Sequence, residues 1–170
     1  MIHETAIVAK GAKLGKNVDI GPLAYIMDGA KIGDGCRIGP RATIFGSVTM
    51  EGDCEVHAGA ILGDTPQDLA FKGGDSYVKI GTKCVIREGV TIHRGTEEGT
   101  TTIVGDNCFL MGFSHLAHNV VLEDNVIMAN GSVLGGYVEV GERAFISGLV
   151  GVHQFVKVGR LAMLGGGAIA

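Results

Sequence analysis

The sequence predicts an all-β solenoid in which the chain bends every six residues and coils into a prism. Three observations predict this fold. Aliphatic residues recur at a fixed spacing of six, a small residue usually follows four positions later, and glycine is abundant while large side chains are scarce. The 170 residues include 29 glycines, no tryptophan and only 5% aromatic residues. A core built from such side chains has to be thin.

The six-residue spacing begins at Ile2 and continues without a break through Leu62. It resumes at Ile80 for three units and at Val104 for eleven, so that 25 units share one frame. Neither a helix nor an alternating strand has this period. We therefore expect short strands joined by bends that glycine permits, with three units to a coil. Coils stacked roughly 4.8 Å apart would give about eight layers and a prism on the order of 40 Å tall.

All four cysteines occupy the small-residue position of the repeat: Cys36, Cys54, Cys84 and Cys108. None is spaced as Cys-x-x-Cys, and buried free cysteine is common in protein cores. We expect four free thiols in the core, with Cys36 and Cys54 on adjacent coils. This cysteine usage predicts a reducing, cytoplasmic location.

Charge and hydropathy exclude several classes of protein. The net charge is −4, acidic and basic residues are interspersed, and there is no basic arm, so nucleic acid is not an expected partner. No apolar run approaches the eighteen or so residues of a membrane span, so we expect no transmembrane segment. The N-terminus lacks the basic and apolar regions of a signal peptide.

Two interruptions, at about 63–79 and 95–102, leave the frame of the repeat intact. We therefore expect a single β-helix domain over 1–170 from which two loops project. The long first interruption is expected to carry function, and its Leu69 and Phe71 predict contact with a neighbouring subunit. The second interruption is polar and glycine-rich without an apolar anchor, which predicts a flexible excursion.

Two histidines, His115 and His118, lie in the segment Ser-His-Leu-Ala-His-Asn at residues 114–119. A neutral histidine held on a rigid scaffold can take a proton from a substrate hydroxyl. His118 follows the inward-facing Leu116 by two residues. We therefore expect it to point outward and to take no part in core packing.

Four motifs, in order along the repeat, resemble one family. They are Pro-Gln-Asp-Leu at 66–69, Ile-Arg-Glu-x-Val-Thr-Ile-His-Arg-Gly at 86–95, Ser-His-Leu-Ala-His-Asn at 114–119 and Val-His-Gln-Phe at 152–155. Together they resemble the UDP-N-acetylglucosamine O-acyltransferases of lipid A biosynthesis, which are left-handed parallel β-helices. The left hand rests on this resemblance, because general crossover rules favour the right. That family usually carries a helical C-terminal domain. We expect this chain to lack it and to show a raised KM for the sugar nucleotide.

The resemblance implies an acyl transfer that needs no cofactor and no metal. His118 would act as the general base on the sugar 3-hydroxyl, which attacks the thioester of a 3-hydroxyacyl chain on acyl carrier protein. The backbone N–H of Gly136 would meet the oxyanion. Gly166 would lie where the acyl chain ends. The residues implied to contact UDP-N-acetylglucosamine or to shape the site are Gln67, Asp68, His115, Tyr137, His153 and Gln154.

A homotrimer is expected from the shape of the fold. One flat wall of a prism offers no concave pocket, whereas these substrates need several converging polar groups. Three prisms packed about a threefold axis would create three clefts and close without open surfaces. The segment 67–71 would then be buried against a neighbour.

Three residues depart from the family pattern. Ala70 stands where many members have lysine, although Lys72 follows two residues later. Tyr137 stands where a site histidine is common, which bears on the choice of acceptor. Asn119 stands where some members have aspartate, so another group must orient the base, and the base is expected to be weaker.

The same six-residue repeat is also compatible with other functions. A zinc enzyme of the carbonic-anhydrase-like β-helix class would need three converging histidines, for which His93, His115 and His118 are the candidates. Their spacing and the Gln-Asp-Leu motif differ from that class. Transfer to another sugar or from another donor, or a non-catalytic scaffold, is the nearer alternative. The acyl-chain length and the choice between a 3-hydroxyl and a 3-amino acceptor stay open.

Overall fold

The computed structural model describes all 170 residues and consists of 24 short strands in three parallel sheets of eight. The first sheet contains β1 (Ile7–Val8), β4 (Tyr25–Ile26), β7 (Thr43–Ile44), β10 (Ile61–Asp64), β13 (Thr91–His93), β16 (His115–Leu116), β19 (Val133–Leu134) and β22 (Gly151–Val152). The second contains β2 (Lys13–Leu14), β5 (Lys31–Ile32), β8 (Val48–Met50), β11 (Tyr77–Ile80), β14 (Thr101–Val104), β17 (Val121–Leu122), β20 (Glu139–Val140) and β23 (Lys157–Val158). The third contains β3 (Asp19–Ile20), β6 (Arg37–Ile38), β9 (Glu55–Val56), β12 (Val85–Ile86), β15 (Phe109–Leu110), β18 (Ile127–Met128), β21 (Phe145–Ile146) and β24 (Met163–Leu164).

Each sheet takes every third strand, so three strands make one coil, as the repeat predicts. Val8 pairs with Ile26, and Ile26 with Ile44, which puts the inward aliphatics of successive coils directly above one another. The first unit of the repeat, at Ile2, forms a single bridge to Ile20. The result is one continuous core of 38 buried apolar residues that runs the length of the prism. No helix in the structure is long and apolar enough to cross a membrane.

The four cysteines are buried free thiols within this core, as predicted. Each Sγ contacts a backbone carbonyl, for example that of Gly81 at 3.0 Å from Cys54 and that of Gly105 at 3.0 Å from Cys84. Hydrogen bonding between neighbouring thiols and burial together shift their pKa values, to about 12 for Cys54 and about 12 for Cys84. Cys36, Cys54 and Cys84 therefore stay protonated, whereas the hydrogen bond with Cys84 lowers the pKa of the Cys108 thiol; all four act as core packing.

Glycine takes the left-handed backbone at some bends, as expected, for example at Gly35 (φ 71°) and Gly131 (φ 66°), but other residues take it at more of them. Fourteen of the residues with left-handed backbone are not glycine, and these include Asn119 (φ 60°) and Tyr137 (φ 60°). Gly33, which follows an inward aliphatic, instead lies against the next coil, where an added Cβ would come within 2.6 Å of the Glu51 carbonyl carbon. Close stacking of coils is thus what requires glycine at that position.

Two loops leave the prism, one between β10 and β11 (residues 65–76, the first loop) and one between β13 and β14 (residues 94–100, the second loop). Met50 pairs with Ile80, and Ile80 with Val104, so each loop adds a whole number of six-residue units. The sheets above and below the loops therefore stay in register. Both loops emerge from the middle of the first sheet, where β10 and β13 are neighbouring strands.

Candidate active site

A cavity of about 610 Å³ opens on the upper part of the first sheet. It is lined by Gln67, His115, Ala117, His118, Val133, Leu134, Gly135, Gly136, Gly151, Val152, His153, Gln154 and Ile169. The expectation that one wall offers no concave pocket is therefore wrong, because the first loop forms a side of the cavity. Six of the site residues predicted from the sequence line the cavity: Gln67, His115, His118, Gly136, His153 and Gln154.

The His118 side chain lies between the two loops. It is only 3% exposed, because the two loops cover a side chain that the sequence predicts to point outward from the prism. His118 Nδ1 lies 2.5 Å from Thr96 Oγ1 and 3.1 Å from Asn119 Oδ1. Its Nε2 lies 3.4 Å from Asp68 Oδ2. One ring nitrogen is therefore held by the second loop and the other faces the first loop and the cavity.

These contacts determine which nitrogen of a neutral His118 carries the proton. The Thr96 backbone N–H donates to Asn119 Oδ1 at 3.0 Å, which fixes the orientation of the amide because a backbone N–H can only donate. An amide oxygen only accepts, so the facing Nδ1 must bear the hydrogen. The Thr96 hydroxyl donates to Asn119 Oδ1 at 3.0 Å and can accept from Nδ1–H. Nε2 is left with a free lone pair.

Asp68 is oriented by its own loop. Its Oδ1 accepts a hydrogen bond from the Ala70 N–H at 2.8 Å, which leaves Oδ2 directed to His118. The separation of 3.4 Å from Nε2 is longer than a charge-assisted hydrogen bond, in keeping with an unprotonated Nε2. This contact uses the backbone of Ala70 and does not depend on its side chain, and Lys72 is exposed.

Gly136 lies against the His118 ring. An added Cβ would come within 2.5 Å of His118 Nε2, so only glycine lets the ring occupy its position. The Gly136 carbonyl accepts from the Phe155 N–H at 3.0 Å, whereas its own N–H donates to no group of the chain. A free backbone donor beside the base is the arrangement that an oxyanion requires.

The two loops hold each other in place. Arg94 lies with its guanidinium carbon 5.2 Å from the Phe71 ring centroid and donates to the Gly74 carbonyl at 2.9 Å. The Ser76 hydroxyl donates to the Gly95 carbonyl at 2.6 Å. The expectation of an unanchored, flexible second loop is wrong, because this loop is tied to the first and to His118. Phe71 also finds a partner within its own chain, whereas Leu69 is fully exposed.

His115 and His93 form an edge-to-face pair behind the cavity, with ring centroids 4.8 Å apart. Burial, and less strongly the nearby His93, lowers the pKa of His115 to about 4. Burial also lowers the pKa of His93. Both rings are therefore neutral at neutral pH, and His115 Nδ1 bonds the Thr91 hydroxyl at 2.7 Å. No group of three or more His, Cys, Asp or Glu side chains in this chain is placed to bind one metal ion.

Two aromatic residues continue the site along one edge of the prism. The Tyr137 ring lies edge-on to His118, 5.2 Å between centroids, and stacks on Phe155 at 5.0 Å. The Tyr137 N–H donates to the His118 carbonyl at 3.1 Å. Tyr137, which stands at this family histidine position, is thus in contact with His118.

Gly166 does not lie at this cavity. It lines a separate groove together with Gly112, Phe113, Asn130, Gly131, Gly148 and Leu149. Within one chain, the structure therefore separates Gly166 from His118. Sequence reasoning also missed Thr96, which follows Gly95, the last residue of the second motif; that adjacency was the available signal.

Comparison with known proteins identifies the class and then the family. Residues 11–46 and 101–136 match the family described as bacterial transferase hexapeptide (six repeats), and residues 29–64 match the hexapeptide repeat of succinyl-transferase. The fold is that of a hexapeptide-repeat transferase, and its coil has the predicted left hand.

Solved structures narrow the assignment. The UDP-N-acetylglucosamine acyltransferase of Bacteroides fragilis 9343 is 38% identical with a TM-score of 0.97, and the match covers 100% of this chain and 67% of that one. The Campylobacter jejuni enzyme is 41% identical with a TM-score of 0.94, covering 99% of this chain and 66% of that one. The chain belongs to the UDP-N-acetylglucosamine acyltransferase family, as its motifs predict.

Among curated relatives, the acyl-[acyl-carrier-protein]–UDP-N-acetylglucosamine O-acyltransferase of Bartonella henselae is 47% identical over 166 residues, which is 97% of this chain and 61% of the relative. The enzyme of that name from Synechocystis sp. is 51% identical over 125 residues, 70% of this chain and 45% of the relative. The chain thus spans about half to two thirds of the length of these proteins.

Proposed function

We propose that this chain transfers a 3-hydroxyacyl group from acyl carrier protein to the 3-position of UDP-N-acetylglucosamine, the first step of lipid A biosynthesis. His118 is the general base. The observation that carries the proposal is the free lone pair of a buried His118 Nε2, which faces a cavity flanked by Asp68 and the unused Gly136 N–H. The names of the relatives supply the donor and the acceptor.

The proposed reaction needs no covalent intermediate on the enzyme. His118 Nε2 takes the proton of the sugar hydroxyl as its oxygen attacks the thioester carbonyl. The Gly136 N–H stabilises the oxyanion, and Asp68 stabilises the imidazolium. The tetrahedral intermediate expels the carrier thiolate, which takes the proton back from His118. The cysteines play no part, because all four are buried in the core.

We further propose that the remaining implied residues bind the substrates. Gln67, His115, His153 and Gln154 line the cavity, where their polar groups can bind the sugar nucleotide. Tyr137, in contact with His118, bears on the choice between a hydroxyl and an amine acceptor. Gly166 limits the acyl chain only if a second copy of the chain brings its groove to the cavity.

We propose that the chain forms a homotrimer, in which a neighbouring subunit completes the substrate-binding cavity. The cavity is open on the wall, and Leu69 at the tip of the first loop is fully exposed, so a neighbouring subunit would shelter both. We also propose a cytoplasmic location, which fits four unpaired cysteines. Light scattering at micromolar concentration tests the assembly, and a monomer would contradict it.

The test is an acyl-transfer assay over acyl-carrier donors of several chain lengths and over UDP-sugars with a 3-hydroxyl or a 3-amino group. We expect His118→Ala to lower acyl transfer by about 10²- to 10⁴-fold, the usual contribution of a general base. His57→Ala, which changes a half-exposed histidine on a distant wall, is the matched control. Activity of His118→Ala within tenfold of the parent would remove His118 from this role.

A further inference from the structure

The second loop contributes a residue to the base that no motif assigned. We propose that Thr96 is a positioning residue for acyl transfer, and that its hydroxyl, anchored on Asn119, holds His118 with Nδ1 protonated and Nε2 free. This inference rests on the proposed function of His118 as general base. It identifies the group that orients the base where some relatives would use aspartate.

The Thr96 side chain is built into the site. It is only 8% exposed, and its hydroxyl lies 2.5 Å from His118 Nδ1 and 3.0 Å from Asn119 Oδ1. Asn119 is itself fixed, because its N–H donates to the Thr102 hydroxyl at 2.8 Å. A buried hydroxyl with one donor and one acceptor partner has little freedom to turn. Because the Asn119 oxygen can only accept, the Thr96 hydroxyl donates to it and accepts a hydrogen bond from His118 Nδ1–H.

The hydrogen-bonded relay formed by the Thr96 hydroxyl and the Asn119 amide at His118 Nδ1 carries no charge. It can therefore orient the ring without stabilising its protonated form. Asp68 contacts the ring on the Nε2 side, while Nδ1 faces only the Thr96 hydroxyl and the Asn119 amide oxygen. The other titratable groups that face His118 are Tyr137 from the coil above and His93 from the coil below. Thr96 therefore fixes the tautomer without stabilising the imidazolium, as a carboxylate at Nδ1 would.

The decisive comparison is Thr96→Val, which keeps the shape and removes the hydroxyl, against Thr96→Ser, which keeps the hydroxyl. Thr101→Val changes a threonine whose hydroxyl makes no hydrogen bond and is the matched control. The ¹⁵N spectrum of the His118 ring reports the tautomer in resting protein, and steady-state kinetics separate kcat from KM. Circular dichroism checks that all variants fold.

We expect the parent, Thr96→Ser and Thr101→Val to show protonated Nδ1 and kcat values within about threefold of one another. Thr96→Val leaves Nδ1 with only the longer contact to Asn119 Oδ1 at 3.1 Å, so it should mix the tautomers and lower kcat by about 10- to 100-fold, the usual effect of removing a group that orients a histidine. Its KM for the sugar nucleotide should change by less than about twofold. Protonated Nε2 in the parent, or a Thr96→Val enzyme with the parental tautomer and kcat, would overturn the proposal.

The spectrum separates this inference from the proposed function. If His118→Ala retains activity, the proposed role of His118 as general base fails and the positioning role of Thr96 fails with it. If His118→Ala is inactive and the His118 spectrum does not respond to Thr96→Val, the positioning role alone fails.

A second variant tests the neutrality of the relay. Asn119→Asp keeps an oxygen for the Thr96 N–H and places a negative charge beside Nδ1. The protonated base should then persist to higher pH, so the acid limb of kcat/KM should move up by about one pH unit or more. An unmoved acid limb would contradict a neutral relay in the parent.

Discussion

The lower and upper coils of this prism use the same repeat but differ in what they bury. All eight buried polar side chains lie after residue 75: Ser76, His93, Thr96, Thr102, Ser114, His118, Ser132 and Ser147. The coils from Ile2 to Leu62 bury only apolar side chains, and their charged residues pair on the surface, as Arg37 does with Glu55. Ser132 is satisfied within its own coil by the Ala129 carbonyl, whereas Ser76 and His118 take their partners from the second loop.

This difference shows how a solenoid acquires chemistry. Burying a polar side chain is unfavourable unless it is hydrogen-bonded. Thr96 and Asn119 satisfy His118 Nδ1, so the ring can be buried while Nε2 stays free for a substrate. The repeat sets the positions, and the loops set the protonation state.

One added methyl group in the upper coils and one in the lower coils test this difference most directly. Gly136→Ala would push its Cβ into the His118 ring, and we expect kcat to fall by about 10²- to 10³-fold through the displaced base and oxyanion donor. Gly33→Ala would push its Cβ into the Glu51 backbone of the next coil instead. It should lower the urea midpoint of unfolding while kcat per folded chain stays within about twofold.

Gly159→Ala is the control for both, since an added Cβ there meets nothing within 4 Å. Steady-state kinetics and urea unfolding on the three variants give the result. Equal loss of kcat in Gly33→Ala and Gly136→Ala would show that coil geometry, and not contact with the base, limits activity.

A smaller effect is expected from loosening the contact between the loops. Arg94→Ala removes the cation–π contact with Phe71 and the hydrogen bond to Gly74, each worth about 1 kcal/mol, so Asp68 should be held less firmly. We expect kcat/KM to fall by about 5- to 30-fold. Arg37→Ala, which breaks an exposed ion pair on the lower wall, should change it by less than about twofold. An Arg94→Ala enzyme with parental kcat/KM would show that the loops stand independently.

The smallest effect concerns acid stability of the upper coils. Burial lowers the pKa of His115 from 6.5 to about 4, so between these values the unfolded chain binds more protons than the folded one. Stability should therefore fall as the pH drops from about 6.5 towards 4. His115→Gln should show a weaker dependence of the urea midpoint over this window than the parent, whereas His57→Gln should not. An unchanged pH dependence in His115→Gln would mean that other groups, such as His93, dominate.

The strand positions and the register of the coils could be predicted from the sequence, because the inward position of every coil is aliphatic. The pairing of Ile80 with Val104 across a loop follows from spacing alone, as does the burial of Cys54 and Cys84. The left hand of the coil does not follow from the spacing and was predicted only from the resemblance to the acyltransferase family. The histidine motif likewise lies at the cavity, where His115 and His118 are lining residues.

The contacts of the base could not be predicted. Thr96 and His118 are 22 residues apart, and their meeting depends on how the second loop folds back, which no periodicity encodes. Inward and outward alternation describes strand residues such as Leu116, but His118 lies beyond its strand in a bend. Burial of a bend residue is decided by whatever covers it, here the two loops.

The central claim is that the loops, and not the repeat, make the site, and deletion of residues 95–100 tests it most directly. This removes one six-residue unit and returns the frame from Ile92 to Val104 to an uninterrupted repeat, so the prism should still form and give the parental circular dichroism. Without Thr96, and without the Gly95 carbonyl that accepts from Ser76 of the first loop, acyl transfer should fall by at least the 10²-fold expected for loss of a general base. A folded deletion variant with activity within tenfold of the parent would contradict the account.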